Sequence, residues 1–394
     1  MGYLGYKPAD KPLTAADITD SIITSAKIVD GTIVNADINA SAAIASTKLS
    51  GVTSPAAFRN LVINGDMQIA QRSTSVASIT TSGYYTVDRF QTFLNTLGTW
   101  TQSQSTDVPT GYGFANSFKM DCTSADASPA SDDLLIVAQK FEGQNLQYLK
   151  KGTVNASPLT ASFWVKSTKT GTFIVELYDI DNNRQISKSY TVNTTNTWEF
   201  KTITFPGDTT GAFDNNNGHS LSLQFWLGAG SDYTSGTLNT SWGTATNANR
   251  VVGQVNIADS TSNDFYLTGV QLEAGTSATD FEFLPIDVDL ARCHRYYQII
   301  PDGWLFSFSS TQAQIQRGLH PNMRTAPSLT VSGAITIGTG FVAYPQSSSH
   351  IGSGSASFNK IVANLHNFTG LATTSNPAMT YALTTNNILA DAEL

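Results

Sequence analysis

Between residues 60 and 285, apolar and polar positions alternate in short runs. Ala161, Phe163 and Val165 fall on one side of such a run, and Phe173, Val175 and Leu177 on one side of the next. Leu221, Leu223, Phe225 and Leu227 make a third inward set. A period of two sends one face of a strand into a core and the other away from it. Turn clusters rich in Asn, Asp, Arg, Thr and Gly punctuate the runs at 181–184, 193–197 and 214–218. Short alternating strands with such punctuation predict an antiparallel sandwich or jelly roll.

The start of the chain has another period. Ile18, Ile23, Ile28, Ile33 and Ile38 recur every five residues, each preceded two positions earlier by Ala16, Ser21, Ala26, Gly31 or Ala36. Five fits neither helix nor strand, but it fits a chain turning corners with one large and one small side chain inward. Five units cannot bury their own face. A threefold shaft in which the isoleucines of three copies meet on the axis meets that need at closed symmetry. The plainer alternative is a mobile linker with chance periodicity. Residues 41–59 read as a small-residue linker ending in Gly and Pro. After Pro285, a short helix with apolar Val288, Leu290 and Ala291 joins the sandwich to a second, smaller β-domain. That domain is built from runs such as SLTVSG, AITIGTG, FNKIVANLHNFTG and MTYAL. The expected organisation is all-β, with residues 1–57 as shaft, 58–285 as jelly roll and 286–394 as a C-terminal β-sandwich.

Composition narrows the partners. Only 13% of residues are charged, net charge is −8 and the pI is about 5.0. This leaves no basic footprint for nucleic acid and no polybasic segment for anionic lipid. No stretch of eighteen apolar residues calls for membrane insertion. Cys122 and Cys293 read as free thiols. The opening MGYLGYKPADKP lacks the apolar core of a secretory signal, although the composition looks extracellular. That mismatch hints at a virion component made in a host cytoplasm.

Motifs for catalysis are sparse. Nucleophile elbow, zinc-protease, Walker and dinucleotide signatures are missing. His219, His294, His320, His350 and His366 stand singly, and His294 beside Cys293 makes no dyad on a helix. Three acid pairs could serve glycan cleavage: Asp132 with Asp133, Asp179 with Asp181, and Asp280 with Glu282. Each reads more simply as turn or edge polarity. Asp179, Asp181, Asn182 and Asn183 resemble an oxygen-rich calcium loop without its Gly and distal Glu; a structural calcium is an option, and otherwise no metal or cofactor is expected. The aromatics say more. Trp164 and Trp226 point away from the faces their neighbours share, which suits a sugar-stacking platform or packing against a neighbouring subunit or loop. Tyr233 and Trp242 sit in a long Gly-, Ser-, Thr- and Asn-rich loop, where an aromatic either binds sugar or pins the loop.

A resemblance then emerges. NLVINGDMQIAQR and, further on, VDRF are similar to the opening of a β-sandwich module of bacteriophage tail fibres, at Asn60, Leu61, Asn64, Gly65, Asp66, Gln68, Gln71, Arg72, Asp88 and Arg89. The module's end resembles Val270, Gln271, Leu272, Glu273 and Gly275. Next come pieces matched at Leu290, Cys293, Arg295, Tyr296 and Tyr297, then at Met323, Arg324, Ala326 and Pro327, and the final DAEL. The resemblance implies a carbohydrate-binding-like jelly roll on a homotrimeric virion fibre that recognises a host surface glycan, docked through its N-terminus on a tail or adaptor protein, with no catalytic set. The expected glycan contacts are Trp164, Trp226, Tyr233 and Trp242. Alternatives are a tailspike-like glycan depolymerase, and a capsid-mounted or purely structural fibre.

Overall fold

The computed structural model describes residues 58–300, 304–309, 312–331, 335–339, 342–348, 355–357, 360–365, 379–381 and 388–394. The isoleucine pentads Ile18 to Ile38, and with them the expected shaft, lie outside the described residues.

Twelve strands form the sandwich. They are β1 (Ser75–Ile79), β2 (Gln91–Asn95), β3 (Thr99–Ser105), β4 (Ser117–Ser124), β5 (Leu134–Glu142), β6 (Leu159–Ser167), β7 (Gly171–Asp179), β8 (Arg184–Val192), β9 (Glu199–Phe205), β10 (His219–Ala229), β11 (Gly243–Thr244) and β12 (Asp264–Ala274). The first sheet runs β1-β3-β4-β12-β6-β9 and the second β11-β8-β7-β10-β5-β2, all paired antiparallel. This is a jelly-roll β-sandwich. Phe163 and Val165 of the first sheet meet Phe173, Val175, Leu177, Leu221, Leu223, Phe225 and Leu227 of the second in one buried cluster. The period-two reading therefore holds strand by strand.

The motif residues tie the ends of this sandwich together. Asn60 accepts from Val62 N and Leu272 N (both 3.0 Å) and donates to Val270 O (3.1 Å), so one side chain joins the entering segment to β12. Asn64 brackets Ile69 in the same way. At Gly65 a Cβ would stand 2.2 Å from Val270 O, so no larger residue fits. Helix α1 (Ser231–Thr234) is a single turn in a loop, and α2 (Ile286–His294) leaves the sandwich where a helix is expected. The inward face of α2 differs from the expectation. It presents Asp289 and Cys293, one turn apart, while Ala291 is exposed and Val288 and Leu290 only half-buried. Burial raises the pKa of Asp289, against the pull of Arg292.

The remaining strands are β13 (Tyr297–Ile300), β14 (Trp304–Ser309), β15 (Gln312–Gly318), β16 (Ser328–Val331), β17 (Ile335–Thr339), β18 (Val342–Ser348), β19 (Ser355–Ser357), β20 (Lys360–Leu365), β21 (Met379–Tyr381) and β22 (Ile388–Asp391). They make a three-stranded sheet, β13-β22-β16, and a seven-stranded one, β18-β17-β21-β14-β15-β20-β19. Two arginines clamp the last residues to the sandwich. The buried Arg89 guanidinium lies 3.4 Å from the Tyr296 ring centroid, pairs with Glu393 and donates to Lys140 O. Arg72 stacks on Tyr297 at 3.7 Å and reaches Asp391 at 3.0 Å. Guanidinium planes suit such combined stacking and carboxylate pairing. The motif around Asn60, Asn64, Arg72 and Arg89 is thus largely a joint between sandwich and C-terminal strands.

Candidate functional site: an aromatic groove on the first sheet

The outer face of the first sheet is open along one row of aromatic side chains. Inward Phe163 and Val165 leave Trp164 facing out, and register puts Trp164 opposite Phe200 of β9. Their rings lie 5.3 Å apart, and Tyr112 from the β3–β4 loop lies 4.3 Å from Trp164 on another side. Beside this row, Phe114, Phe281 and Phe283 pack together with centroids 4.8–5.2 Å apart. The two sets wall a groove of 590 Å³ whose polar lining includes Ser162, Thr279 and Asp280. Tyr112 is 56% exposed, Phe200 49% and Phe283 47%, so three of the most exposed large apolar side chains converge here.

A bulge shapes the groove. The β12–β6 register shifts between Thr268 and Gln271. Within it Gly269 has φ +60°, and a Cβ there would press to 2.6 Å from the Phe114 ring. The glycine makes the bulge possible and gives Phe114 its seat.

The predicted site residues separate. Trp164 is in the groove. Trp226 does face outward, but from the opposite sheet, and it is fully buried, which rules it out as an open platform. Residues 231–256 fold over it: Tyr233 lies 5.5 Å away, and Leu238 and Val251 complete its cover. Its indole N–H donates to Glu176 at 2.9 Å, and Arg250 pairs with the same carboxylate at 2.8 Å. Tyr233 therefore serves as a lid to Trp226. Trp242 packs on the core edge and donates to Pro206 O at 2.7 Å, pinning its own loop. Neither Tyr233 nor Trp242 lines the groove. Sequence reasoning missed Tyr112, Phe200, Phe281 and Phe283. The available signal was Trp198 and Phe200 two apart on one side of a run whose other side carries Glu199 and Lys201.

Of the acids noted in the sequence, Asp280 lines the groove and the other five hold loops. Asp133 accepts from Ala130 N at 2.8 Å and from Thr96, and Asp132 accepts from Asn95. Glu282 accepts from Asn60 N at 2.9 Å, and Asp181 from Asp214 N. Asp179 pairs at 2.6 Å with the buried Lys151 ammonium, which also reaches Asp208 (3.0 Å), Thr210 O (2.9 Å) and Gly211 O (2.8 Å). Four oxygens thus surround a tethered cation beside the suspected calcium loop. Cys122 and Cys293 are free thiols, as read from the sequence; both are also buried, and burial raises both pKa values. Among the described residues no group of three or more His, Cys, Asp or Glu is placed to hold a metal, and no helix is long and apolar enough to cross a membrane.

No protein-family model matches the chain, and no curated protein matches it. Among solved structures, it is similar to a putative sugar binding protein from Bacteroides thetaiotaomicron (TM-score 0.30, 9% identity, 55% of this chain and 99% of that one). A family 11 carbohydrate-binding module from Clostridium thermocellum, in complex with a mixed-linked tetrasaccharide, gives TM-score 0.26 and 13% identity over 52% of this chain and 99% of the module. The enzymatically active domain of bacteriophage CBA120 tailspike protein 4 gives TM-score 0.29 and 15% identity over 55% of this chain, which spans only 21% of that one.

Proposed function

We propose that the protein is a glycan-binding virion fibre: a homotrimeric bacteriophage tail-fibre protein that attaches particles to a host surface polysaccharide without cleaving it. The observation that carries the binding role is the open row Tyr112, Trp164 and Phe200 along the groove. Aromatic faces complement the C–H faces of pyranose rings, and a mostly apolar groove with a few polar groups suits a neutral ligand. The fibre role is supported by the tail-fibre resemblance of residues 60–330 and by the isoleucine pentads. Three linked sites would turn weak single contacts into firm attachment.

The test is glycan-array and titration binding with the full chain. Trp164→Ala should weaken glycan binding by about thirtyfold or more, the loss of a hot-spot aromatic of about 2 kcal/mol. Equal binding by wild type and variant would remove the groove from the mechanism. Release of reducing ends from host polysaccharide would replace adhesion by depolymerisation. Sedimentation should give a trimer, and a monomer at micromolar concentration would overturn the fibre assignment.

A further inference from the structure

The outer face of the first sheet carries a second row of side chains next to the groove. Lys166 comes two residues after Trp164 on β6, and Trp198 precedes Phe200 by two, just before β9. Register places Tyr266 of β12 opposite Lys166 on one side and Lys119 of β4 on the other. Residues two apart on a strand share a face and stand about 7 Å apart. The face is therefore a ladder: Phe200, Trp164 and Thr268 form one rung, and Trp198, Lys166, Tyr266 and Lys119 the next.

This second rung is ordered by its own contacts. The Lys166 ammonium lies 4.1 Å from the Tyr266 centroid and 5.7 Å from that of Trp198. Asp107 pairs with Lys166 and accepts the Trp198 indole N–H at 3.0 Å. Lys119 pairs with Asp264 at 3.2 Å, and Asp121 stands opposite Asp264 across the β4–β12 ladder. Both lysines already have carboxylate partners, and three carboxylates face two ammonium groups. An anionic sugar would have to displace Asp107 or Asp264 and meet the remaining negative charge. Lys166 and Tyr266 of this rung are buried, and a neutral sugar finds the half-buried Trp198 indole, the part-exposed Asp107 carboxylate to accept from its hydroxyls and the part-exposed Lys119 ammonium to donate to them.

We propose that the groove and the Trp198 rung are consecutive subsites for one linear, uncharged glycan chain. The inference rests on the glycan reading of the groove and adds the ligand's charge and its minimum span. The groove spans two rungs, those of Ser162 and Trp164, and a pyranose unit advances a linear chain by a distance comparable to the rung spacing, so a disaccharide covers the groove and longer oligomers reach Trp198.

The experiment is calorimetric titration of the full chain with cello-, xylo- and β-1,4-galacto-oligosaccharides of two to six units, alongside oligogalacturonates of equal length. For at least one neutral series, affinity should rise tenfold or more between two and four units. Trp198→Ala should abolish that rise and leave disaccharide binding unchanged, whereas Trp198→Phe should keep most of it. Trp164→Ala should lose binding at every length. If Trp198→Ala binds every oligomer as wild type does, the second subsite is overturned and the groove stands. Tighter binding of oligogalacturonates than of the neutral series would overturn the uncharged-ligand assignment. Absence of wild-type binding to all four series would overturn the inference, and the glycan reading with it if the array is blank too. Unchanged melting of the Trp198 variants confirms that the readout is binding rather than folding.

Discussion

Each outer face of the sandwich presents a tryptophan from an interior strand, and the two meet different fates. Trp164 on the first sheet has rings on two sides and a groove beside it. Trp226 on the second sheet has the loop of residues 231–256 over it, a carboxylate on its indole and an arginine 4.9 Å from its centroid. Outward direction on a strand is thus a local property, whereas exposure depends on what the connecting loops do afterwards. An aromatic that a loop has covered stabilises the fold. One left uncovered keeps apolar surface available to a ligand.

The sharpest way to break that contrast is to truncate both side chains. Trp226→Ala should cost about 3–5 kcal/mol in urea unfolding, since a large buried ring is lost and Glu176 forfeits a donor. Trp164→Ala should cost less than about 2 kcal/mol, because its ring is only half-buried, yet it should remove glycan binding. If the order of the two stabilities is reversed, the division into covered and open faces fails.

A smaller effect is expected where a covering loop is held by charge. Lys151→Met leaves Asp179 buried without its ammonium, although Arg184 still pairs with Asp208 at 2.7 Å. Loss of one partner of a buried pair commonly costs 3–5 kcal/mol, and about 3 kcal/mol is expected here. Because the Lys151 ammonium already pairs with Asp179 of the suspected calcium loop and Asp181 accepts from Asp214 N, a chelator should leave the wild-type melting temperature unchanged. A chelator-induced fall in melting temperature would show that a metal, not the lysine, organises these loops.

How much of this was legible in the sequence depends on the range of the interactions involved. Strand faces are set by neighbours two residues apart, so the core positions Phe163, Val165, Phe173 and Leu223 could be read directly, as could the outward turn of Trp164 and Trp226. The cover on Trp226 comes from Tyr233, Leu238 and Val251, which have no period and sit in a stretch that reads as loop. Phe200 was missed because it alternates with Glu199 and Lys201 on a sheet-edge strand. Tyr112 and Phe283 come from loops on either side of β12 and β4, and only the closed sandwich brings them to one groove. The motif around Asn60, Asn64 and Arg89 could be recognised as a unit, but its purpose as a joint needs residues more than two hundred positions away.

The second sheet should also respond to pH in a way the first does not. Burial, aided by Lys140, lowers the His219 pKa to about 4, and its Nε2 lies 2.6 Å from Ser222 Oγ. Between pH 6.5 and 4 the unfolded chain binds a proton that the folded chain refuses, so this histidine makes stability fall as pH falls. The full shift corresponds to about 3 kcal/mol, and partial exposure of the ring reduces the expectation to about 2 kcal/mol. Burial raises the Asp88 pKa to about 6, which gives a slope of opposite sign in the same window. The measurement is therefore a difference: wild type minus His219→Gln, unfolded in urea at pH 7 and pH 4.5. A gap that does not change between those pH values would show that His219 is not held neutral.

The smallest expected effect sharpens the open face. Phe200 sits at the sheet edge, 49% exposed, with Trp164 5.3 Å away and no polar group of its own. If it only shields Trp164, Phe200→Ala should change stability and binding together. If it offers a second stacking surface, binding should weaken about fivefold, near 1 kcal/mol, with stability nearly unchanged. The second outcome is expected, because an exposed edge ring loses little burial on truncation while a bound sugar would cover it. A Phe200→Leu variant separates shape from stacking: leucine restores apolar bulk, so recovery of affinity by leucine would mean that the groove reads width, and persistence of the loss would mean that it reads the aromatic face.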